Sequence, residues 1–251
     1  MNSRQARGFT IVEVVLVIAI GGLVLIGALA GLSASINEAR YKTATTGVVD
    51  FFQGQYERLS ATANSSRSGS LRDTEHCASA STSSRGQSDC VLVGVVVRDS
   101  ADGVGGSYVL QSNPVYATTP PQVAGNQDDV AVLQKSGLIE DQTGQSSQSY
   151  TMDWGSGLVM PSEKTKQQHV SMLIARSPTS GAVHTFTLTG SASSVSTIKV
   201  ADLASEARRT NNSVFCVEMP GYRSSLGVKV AADSATASGV VLATESEGAC
   251  S

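Results

Sequence analysis

The chain has 251 residues, a length that fits one exported domain with a stalk segment or two small domains. Aromatic residues make up 5% of the chain, charged residues make up 16%, and there are 24 glycines. This composition favours a β-rich domain with many short turns over a helical enzyme core. The formal net charge of -3 excludes a global basic field of the kind that attracts nucleic acid.

A long apolar segment lies close to the N-terminus. Residues 14–36 contain no charged residue, and a helix of that length, rising about 1.5 Å per residue, crosses a bilayer hydrocarbon core of about 30 Å. Arg4 and Arg7 precede the segment, so the positive-inside rule predicts a cytoplasmic N-terminus and an exported remainder. We therefore expect a single-pass plasma-membrane protein.

One acidic residue, Glu13, lies at the start of the apolar segment. A carboxylate near the bilayer interior costs about 2.5–3.5 kcal/mol on insertion scales, and such residues usually have a specific partner. The alternative interpretation is a charge at the helix end that reaches the headgroups on the cytoplasmic side.

Residues 7–13 read Arg-Gly-Phe-Thr-Ile-Val-Glu and lead directly into the apolar segment. This stretch resembles the prepilin signal of type IV pilins and pseudopilins, in which a short basic leader ends in Gly before Phe-Thr, two aliphatic residues and Glu. The resemblance implies that a prepilin peptidase cleaves between Gly8 and Phe9 and that the new Phe9 amine is N-methylated. It also implies that Glu13 neutralises the Phe9 ammonium of an adjacent subunit during filament assembly.

The chain departs from the family pattern at Ala30, where many pilins have Pro. The glycines of the segment either weaken the helix, each by up to about 1 kcal/mol, or form a small-residue packing face between helices. These glycines are Gly21, Gly22, Gly27 and Gly31. A competing interpretation is an ordinary signal peptide cleaved after residues 28–30, Ala-Leu-Ala, although the preceding apolar region is longer than is usual for one.

Apolar residues continue at helical spacing beyond the membrane segment. They are Val48, Val49, Phe52, Tyr56 and Leu59. We therefore predict one long helix over residues 9–61, with two helices broken at Gly47 as the alternative. The predicted organisation is a leader at 1–8, a transmembrane or filament-core helix at 9–36, an amphipathic continuation at 37–63 and an extracellular β-rich head at 64–251.

The predicted fold class is α+β, a long helix packed on an antiparallel sheet. Residues 64–88, rich in Ser, Thr, Arg and Gly, predict a loop. A short helix is predicted over 126–136, with Asn126 as its N-cap and Gly137 beyond its end, and residues 203–209 predict one or two helical turns. Strands are predicted at 91–97, 108–110, 158–160, 170–176, 183–189, 214–217, 227–230 and 240–243.

All four cysteines lie downstream of the apolar segment, and an even number in an exported domain indicates disulfide bonds. The local pairing is Cys77–Cys90 with Cys216–Cys250, and each closed loop contributes roughly 3–4 kcal/mol. Cross-pairing between the two halves stays open. The second local pair resembles the C-terminal disulfide loop of many pilins. No C-x-x-C spacing occurs, so we predict no structural zinc site.

The remaining reactive side chains form no enzyme motif. The histidines are His76, His169 and His184. None belongs to an H-E-x-x-H pattern, no G-x-S-x-G or P-loop occurs, and we expect His184 to be packed or at the surface. Asp99 and Asp102 lack the other ligands of a calcium loop and predict a solvated turn. Arg208 and Arg209 predict a solvated basic pair. We therefore predict no catalytic residue, metal or cofactor, and the sequence gives no support for nucleic-acid binding.

The resemblance implies a structural subunit of a type IV pilus, with other pilin subunits and the prepilin peptidase as partners. Such a subunit is held in the inner leaflet before assembly and then lies at the cell surface. The large, loop-rich head favours a minor pilin over a major one. The alternatives are a pseudopilin of a type II secretion or DNA-uptake system and a membrane-anchored surface binding protein that does not polymerise.

Overall fold

The computed structural model describes residues 10–60, 91–100, 107–118, 128–141, 147–220, 226–232, 234–243 and 250. The helices in these ranges are α1 (Ile11–Ser60), α2 (Asp129–Lys135) and α3 (Val200–Leu203). The chain divides into two compact units, Met1–Tyr41 and Lys42–Ser251, with the boundary inside α1. The predicted α+β, pilin-like arrangement of a long N-terminal helix with antiparallel sheets is confirmed.

Two antiparallel sheets form the second unit. Their strands are β1 (Val91–Ser100), β2 (Val109–Ala117), β3 (Leu138–Glu140), β4 (Gln148–Thr151), β5 (Gly157–Met160), β6 (Glu163–Gln167), β7 (His169–Arg176), β8 (Val183–Gly190), β9 (Ser213–Glu218), β10 (Gly227–Val230) and β11 (Val240–Ala243). Sheet A has the order β3-β2-β1-β7-β8, with β4 also paired to β2, and sheet B has the order β11-β10-β9-β5-β6.

Within the first unit, α1 is apolar on all sides over residues 14–36. Every side chain over residues 14–36 is exposed, including the large apolar ones. The helix continues without interruption through Gly47, so the alternative of two helices broken at that glycine is wrong. A continuous i to i−4 hydrogen-bond ladder satisfies the backbone internally, which is the condition for a helix to lie in hydrocarbon.

In the second unit, α1 buries one face against both sheets. The five apolar residues predicted for that face are all buried. The Tyr56 hydroxyl lies 2.8 Å from the Thr185 hydroxyl of β8, and the rings of Phe52 and Phe215 of β9 are 5.4 Å apart. Gln53 donates a hydrogen bond to the carbonyl of Val240 in β11. The amphipathic pattern therefore marks the face that covers the sheets.

Sheet A is covered on both faces. One face meets α1, and the other packs on a cluster formed with α2 and α3, which includes Leu133, Leu203 and Phe186. Strand β7 is consequently buried over its first seven residues. In β8, Thr185 is buried on the α1 side through its contact with Tyr56, while Phe186 and Leu188 pack in the cluster on the opposite side.

Strand β2 runs to Ala117, well beyond the predicted residues 108–110, although it contains Pro114. On its outer side β2 pairs with β4 over residues 109–112 and with β3 over residues 115–117. The carbonyl of Pro114 accepts a hydrogen bond from the Asp141 backbone N–H. Since the proline lies where the partner changes from β4 to β3, its missing N–H removes no ladder bond.

Other differences from the sequence prediction have local causes. Helix α2 begins at Asp129 with Asp128 at the N-cap position, and the predicted cap Asn126 lies outside the described residues. Residues 203–209, predicted as one or two helical turns, contain one 3-10 turn at Glu206–Arg208, while α3 begins earlier, at Val200, and ends at Leu203. Strands β3, β4 and β6 were missed because they are short or polar and carry no alternating apolar pattern.

A buried guanidinium joins several elements of sheet A. The Arg98 side chain of β1 forms a salt bridge of 2.8 Å with Glu140 of β3, and both side chains are largely buried. Arg98 also donates to the Ser171 hydroxyl of β7 and to the carbonyls of Ser196 and Ile198. Because every one of these acceptors is fixed by its own strand or turn, the pair holds the sheet edge and the turn before α3 together.

We expect Glu140→Gln to lower the free energy of unfolding by about 3–5 kcal/mol, because it leaves the Arg98 charge buried without its counter-charge. The measurement is denaturant unfolding of the full chain in detergent. Glu163→Gln is the matched control, since its pair with Lys166 is half exposed on both sides and is worth less than about 1 kcal/mol. Equal losses for the two variants would contradict this role for the buried pair.

Alkaline stability depends on a second buried polar group. The Tyr108 hydroxyl donates a hydrogen bond of 2.7 Å to the Gln168 carbonyl, and burial together with the nearby Asp99 charge raises the pKa of Tyr108 well above its ordinary value of 10.0. Above the unfolded pKa, the unfolded chain ionises while the folded chain does not. The stability contribution is thus complete below pH 10 and is lost as the pH rises towards the folded pKa.

We therefore expect the wild-type head to lose stability steeply above about pH 10. Tyr108→Phe removes one ionisable phenol, so the loss between about pH 9 and about pH 11 becomes smaller, while the lost hydrogen bond costs about 1 kcal/mol at neutral pH. Denaturant unfolding of both proteins across this range measures the difference. An unchanged alkaline slope in Tyr108→Phe would show that the phenol is not the responsible group.

Candidate functional site

The start of α1 is capped by the side chain of the preceding residue. Thr10 stands immediately before the helix, and its hydroxyl oxygen accepts the backbone N–H of Glu13 at 3.2 Å. Its carbonyl accepts the first helical bond, from the Val14 N–H. Thr followed three positions later by Glu is the capping-box sequence pattern. This role of Thr10 was not predicted, although the Thr-x-x-Glu spacing was the signal for it.

Glu13 lies in the first turn of α1, and it is exposed in the single chain. The four N-terminal N–H groups of a helix have no partners within the helix, and the helix dipole places a partial positive charge there. A carboxylate in the first turn is therefore stabilised by its own helix. The same carboxylate stands at the edge of an apolar surface, where it has no water once the helix is surrounded by lipid or by other helices.

Among the residues that the structure describes, α1 alone is long and apolar enough to cross a membrane, and the apolar part of it is uncovered. Its large side chains include Ile11, 85% exposed, and Leu23, 74% exposed. A contiguous apolar surface of this length marks an interaction with lipid or with other apolar helices, since soluble proteins do not leave such surfaces in water.

Not all of the predicted site residues can be placed. Gly8 and Phe9, the predicted cleavage and methylation positions, lie outside the described residues, as does the predicted Cys77–Cys90 pair. Glu13 is placed as given above. The Cys216–Cys250 disulfide is present, with Cα atoms 5.6 Å apart, and it ties the C-terminal end of the chain to β9.

The disulfide needs a glycine beside it. Gly227 of β10 pairs with Cys216 across the ladder, and a Cβ at this position would stand 2.8 Å from the Cys250 sulfur and 2.8 Å from the Phe215 carbonyl oxygen. Real Cβ atoms do not approach backbone this closely, so a side chain at Gly227 would displace either the strand or the disulfide.

A buried Ser, His and Asp cluster lies at the end of β1, and it corrects one prediction. Asp99 was expected in a solvated turn, but it is 4% exposed. Its carboxylate lies 2.6 Å from His169 Nδ1, accepts the Val170 N–H at 2.7 Å and accepts the Ser196 hydroxyl at 2.6 Å. This cluster could not be predicted from the sequence, because Asp99, His169 and Ser196 are far apart in the chain.

The arrangement of this cluster differs from a nucleophilic triad. In a triad the imidazole bridges Ser and Asp through its two different nitrogens. Here Ser196 Oγ lies 3.4 Å from His169 Nδ1, the same nitrogen that faces Asp99. The three side chains therefore satisfy one another at the junction of β1, β7 and the turn before α3, and the geometry supplies no activated hydroxyl.

The other singled-out polar residues also have structural partners. His184 Nε2 lies 3.3 Å from Asp129 in α2, and hydrogen bonds from the Ser177 and Ser180 hydroxyls hold the pKa of Asp129 below its ordinary value. Arg208 donates to the Asp202 carbonyl, and Arg209 lies 3.8 Å from Glu206. Within the described ranges, no group of three or more His, Cys, Asp or Glu side chains is arranged to hold a metal ion.

Comparison with known proteins bears on the N-terminal segment. No curated protein and no solved structure matches the chain. One family model does match, that of the prokaryotic N-terminal methylation motif, over residues 3–29. This range includes the capped helix start, Glu13 and most of the uncovered apolar surface. The chain therefore carries the prepilin-type signal of type IV pilins and pseudopilins at residues 3–29.

Proposed function

We propose that this protein is a structural subunit of a type IV pilus that assembles through its N-terminal helix. The observation that supports this most directly is the combination of a prepilin-type signal at residues 3–29 with an apolar helix surface that no described part of the chain covers. Packing of such helices against one another removes their surfaces from lipid or water and supplies the van der Waals contacts of a filament core.

In this proposal the chain is divided as the sequence predicts. Residues 1–8 are a leader, residues 9–36 form the membrane and filament-core helix, residues 37–63 continue it, and residues 64–251 form the exported head. A prepilin peptidase cleaves between Gly8 and Phe9, and the Phe9 amine is methylated. The subunit is a single-pass plasma-membrane protein with a cytoplasmic N-terminus before assembly, and it lies at the cell surface afterwards.

Charge pairing gives this assembly its register. The Glu13 carboxylate costs free energy inside an apolar bundle unless a cation meets it. The terminal ammonium of a neighbouring Phe9 is such a cation, and it is brought into the same layer as the helices pack. Apolar contacts supply most of the association energy, while the ion pair determines how far one helix is displaced along the next.

The mature N-terminus tests the processing step. Intact-mass and peptide mass spectrometry of the membrane-bound protein should find a chain that begins at Phe9 and carries one added methyl group. A chain that begins at Gly31 would indicate an ordinary signal peptidase, and a chain that still begins at Met1 would indicate no processing. Either result would contradict the proposed maturation.

A second experiment tests the charge of Glu13 while the capped helix start is kept. Gln also serves at the third position of a capping box, so Glu13→Gln keeps the helix start but removes the carboxylate. We expect this variant to insert and to be processed normally, yet to enter sheared filaments at least about tenfold less, a loss of about 1.4 kcal/mol or more per subunit.

Thr10→Ala is the matched control, because it removes the cap on the Glu13 N–H and keeps the charge. A surface-exposed cap is worth about 1 kcal/mol, and the helix is held by its environment, so its filament content should stay within about twofold of wild type. Equal filament content for Glu13→Gln and wild type would contradict charge pairing.

The large head favours a minor pilin, and the proportion of this chain in purified filaments measures that directly. Two alternatives remain as candidate functions with the same N-terminal signal. A pseudopilin of a secretion or DNA-uptake system would assemble without long surface filaments, and a membrane-anchored binding protein would stay wholly in the membrane fraction.

A further inference from the structure

An open groove of ≈ 560 Å³ lies between the amphipathic part of α1 and β4, within the second unit. Its walls are Gly47, Asp50 and Phe51 of α1 and Gln148, Ser149 and Tyr150 of β4. The disulfide, the buried polar clusters and residues 14–36 of α1 contribute none of these lining residues. The functions assigned above therefore leave this groove unexplained.

Two aromatic rings line the groove. Phe51 and Tyr150 stack with ring centroids 5.7 Å apart and an interplanar angle of 24°. Tyr150 lies directly over the helix backbone, because a side chain at Gly47 would collide with its hydroxyl. Both rings are only half-buried. A stacked aromatic pair that keeps exposed ring surface is well suited to a cation, which is attracted to the negative face of the ring.

The charge of the groove is entirely negative among its described residues. Asp50 is in the wall, whereas Asp153 lies outside the lining, just beyond the end of β4. Burial raises the pKa of Tyr150, and the Asp153 and Asp50 charges raise it further. The Tyr150 hydroxyl reaches the Ala44 carbonyl only at 3.5 Å, the outer limit of a hydrogen bond. A primary ammonium has three donors and no acceptor, which matches two carboxylates and one phenolic oxygen.

The backbone next to the groove is strained. Trp154 has φ 55 and Gly155 has φ 70, and the Ser156 N–H bonds the Asp153 carbonyl at 3.0 Å. Two left-handed residues in succession are typical of a type I′ turn, which normally uses Asn-Gly or Gly-Gly. A bulky residue is strained in this conformation, and this turn places Asp153 and the 45% exposed Trp154 at the surface.

We propose that the groove between α1 and β4 receives a lysine side chain from a second copy of this chain, with its ammonium on the Phe51 and Tyr150 rings and between the Asp50 and Asp153 carboxylates. The proposal rests on the proposed filament, which brings copies side by side. Charge complementarity supports a second copy as the occupant, because exposed lysines such as Lys135 and Lys199 lie on the described head.

The first part of the test measures binding of a lysine analogue to the groove, on the full chain in detergent. The probe is N-acetyl-lysine-methylamide, and the uncharged control probe is N-acetyl-norleucine-methylamide. Trp154 is the chain's single tryptophan and adjoins Asp153, so its fluorescence reports binding. We expect a saturable change with the lysine probe and none with the norleucine probe. No saturable change with the lysine probe would overturn the proposal.

Variants assign the binding to the carboxylates. Asp50→Asn combined with Asp153→Asn should weaken binding of the lysine probe by about tenfold or more, since two charge-assisted contacts are lost. Glu57→Gln is the matched control, an exposed acid two turns further along α1 and outside the groove, and it should bind as wild type does. Equal weakening by both changes would overturn the assignment to this groove.

The second part identifies the occupant in sheared filaments. A carbodiimide joins a carboxylate to an amine in direct contact with it, and mass spectrometry of filaments made from mixed light and heavy isotope-labelled chains separates bonds between copies from bonds within one. We expect a bond between copies from Asp50 or Asp153 to a lysine, absent in the double variant. Filaments without this bond overturn the inference alone, whereas a failure to form filaments counts against the proposed function.

Discussion

The structure depends on a single helix that must satisfy two different environments. Over residues 14–36 no side chain of α1 is charged and all of them are exposed, so this part is stable only in lipid or among similar helices. From residue 42 onward the apolar side chains gather on one face, which the two sheets bury. Both parts belong to one continuous helix. The change in side-chain pattern therefore determines which part the sheets can cover.

The core of the second unit is mostly aliphatic, with a few buried aromatic rings such as Phe52, Phe186 and Phe215, and it also contains buried Ser and Thr residues. With aromatics at 5% of the chain, the strands bring Ser and Thr into buried positions, and these need hydrogen bonds. The Ser171 hydroxyl donates to the Val195 carbonyl at 2.7 Å, and the Thr185 hydroxyl donates to the Ser234 carbonyl at 2.8 Å. Such hydrogen bonds form in one strand register only. They therefore specify which strands and turns pair, which a purely apolar core would define less well.

The sequence predicted features that rest on local patterns. Residues 227–230 and 240–243 were predicted as strands with the bounds that the structure has, because each is a short segment with two valines between turn residues. The buried apolar face of α1 from Val48 to Leu59 was predicted because apolar residues recur there every three or four positions. Glu13 was found because a charge inside an apolar segment is conspicuous.

Features that depend on contacts between distant segments could not be predicted in this way. Strand β4, Gln148–Thr151, has no apolar alternation and exists because β2 offers it a free edge. Asp99 was predicted in a polar turn. It is buried and hydrogen-bonded because the fold brings His169 and Ser196, from later in the chain, next to its carboxylate. The groove beside Tyr150 likewise requires Gly47, about a hundred residues earlier in the chain, to lie beneath its hydroxyl.

The capped helix start partly compensates the Glu13 charge in a subunit that, as proposed, lies in the membrane before assembly. Thr10 fixes the first turn of α1 through the Glu13 N–H, and the helix N-terminus stabilises the carboxylate by its partial charge. A lone subunit therefore has some compensation for Glu13. Within the proposed filament, a neighbour's ammonium carries a full charge and replaces that weaker compensation at close range. Apolar surfaces alone could slide past one another by a turn with little change in buried area, whereas only one displacement brings the two charges together. In the proposed filament the acid thus distinguishes the correct stagger from the others, although it adds little to the total association energy.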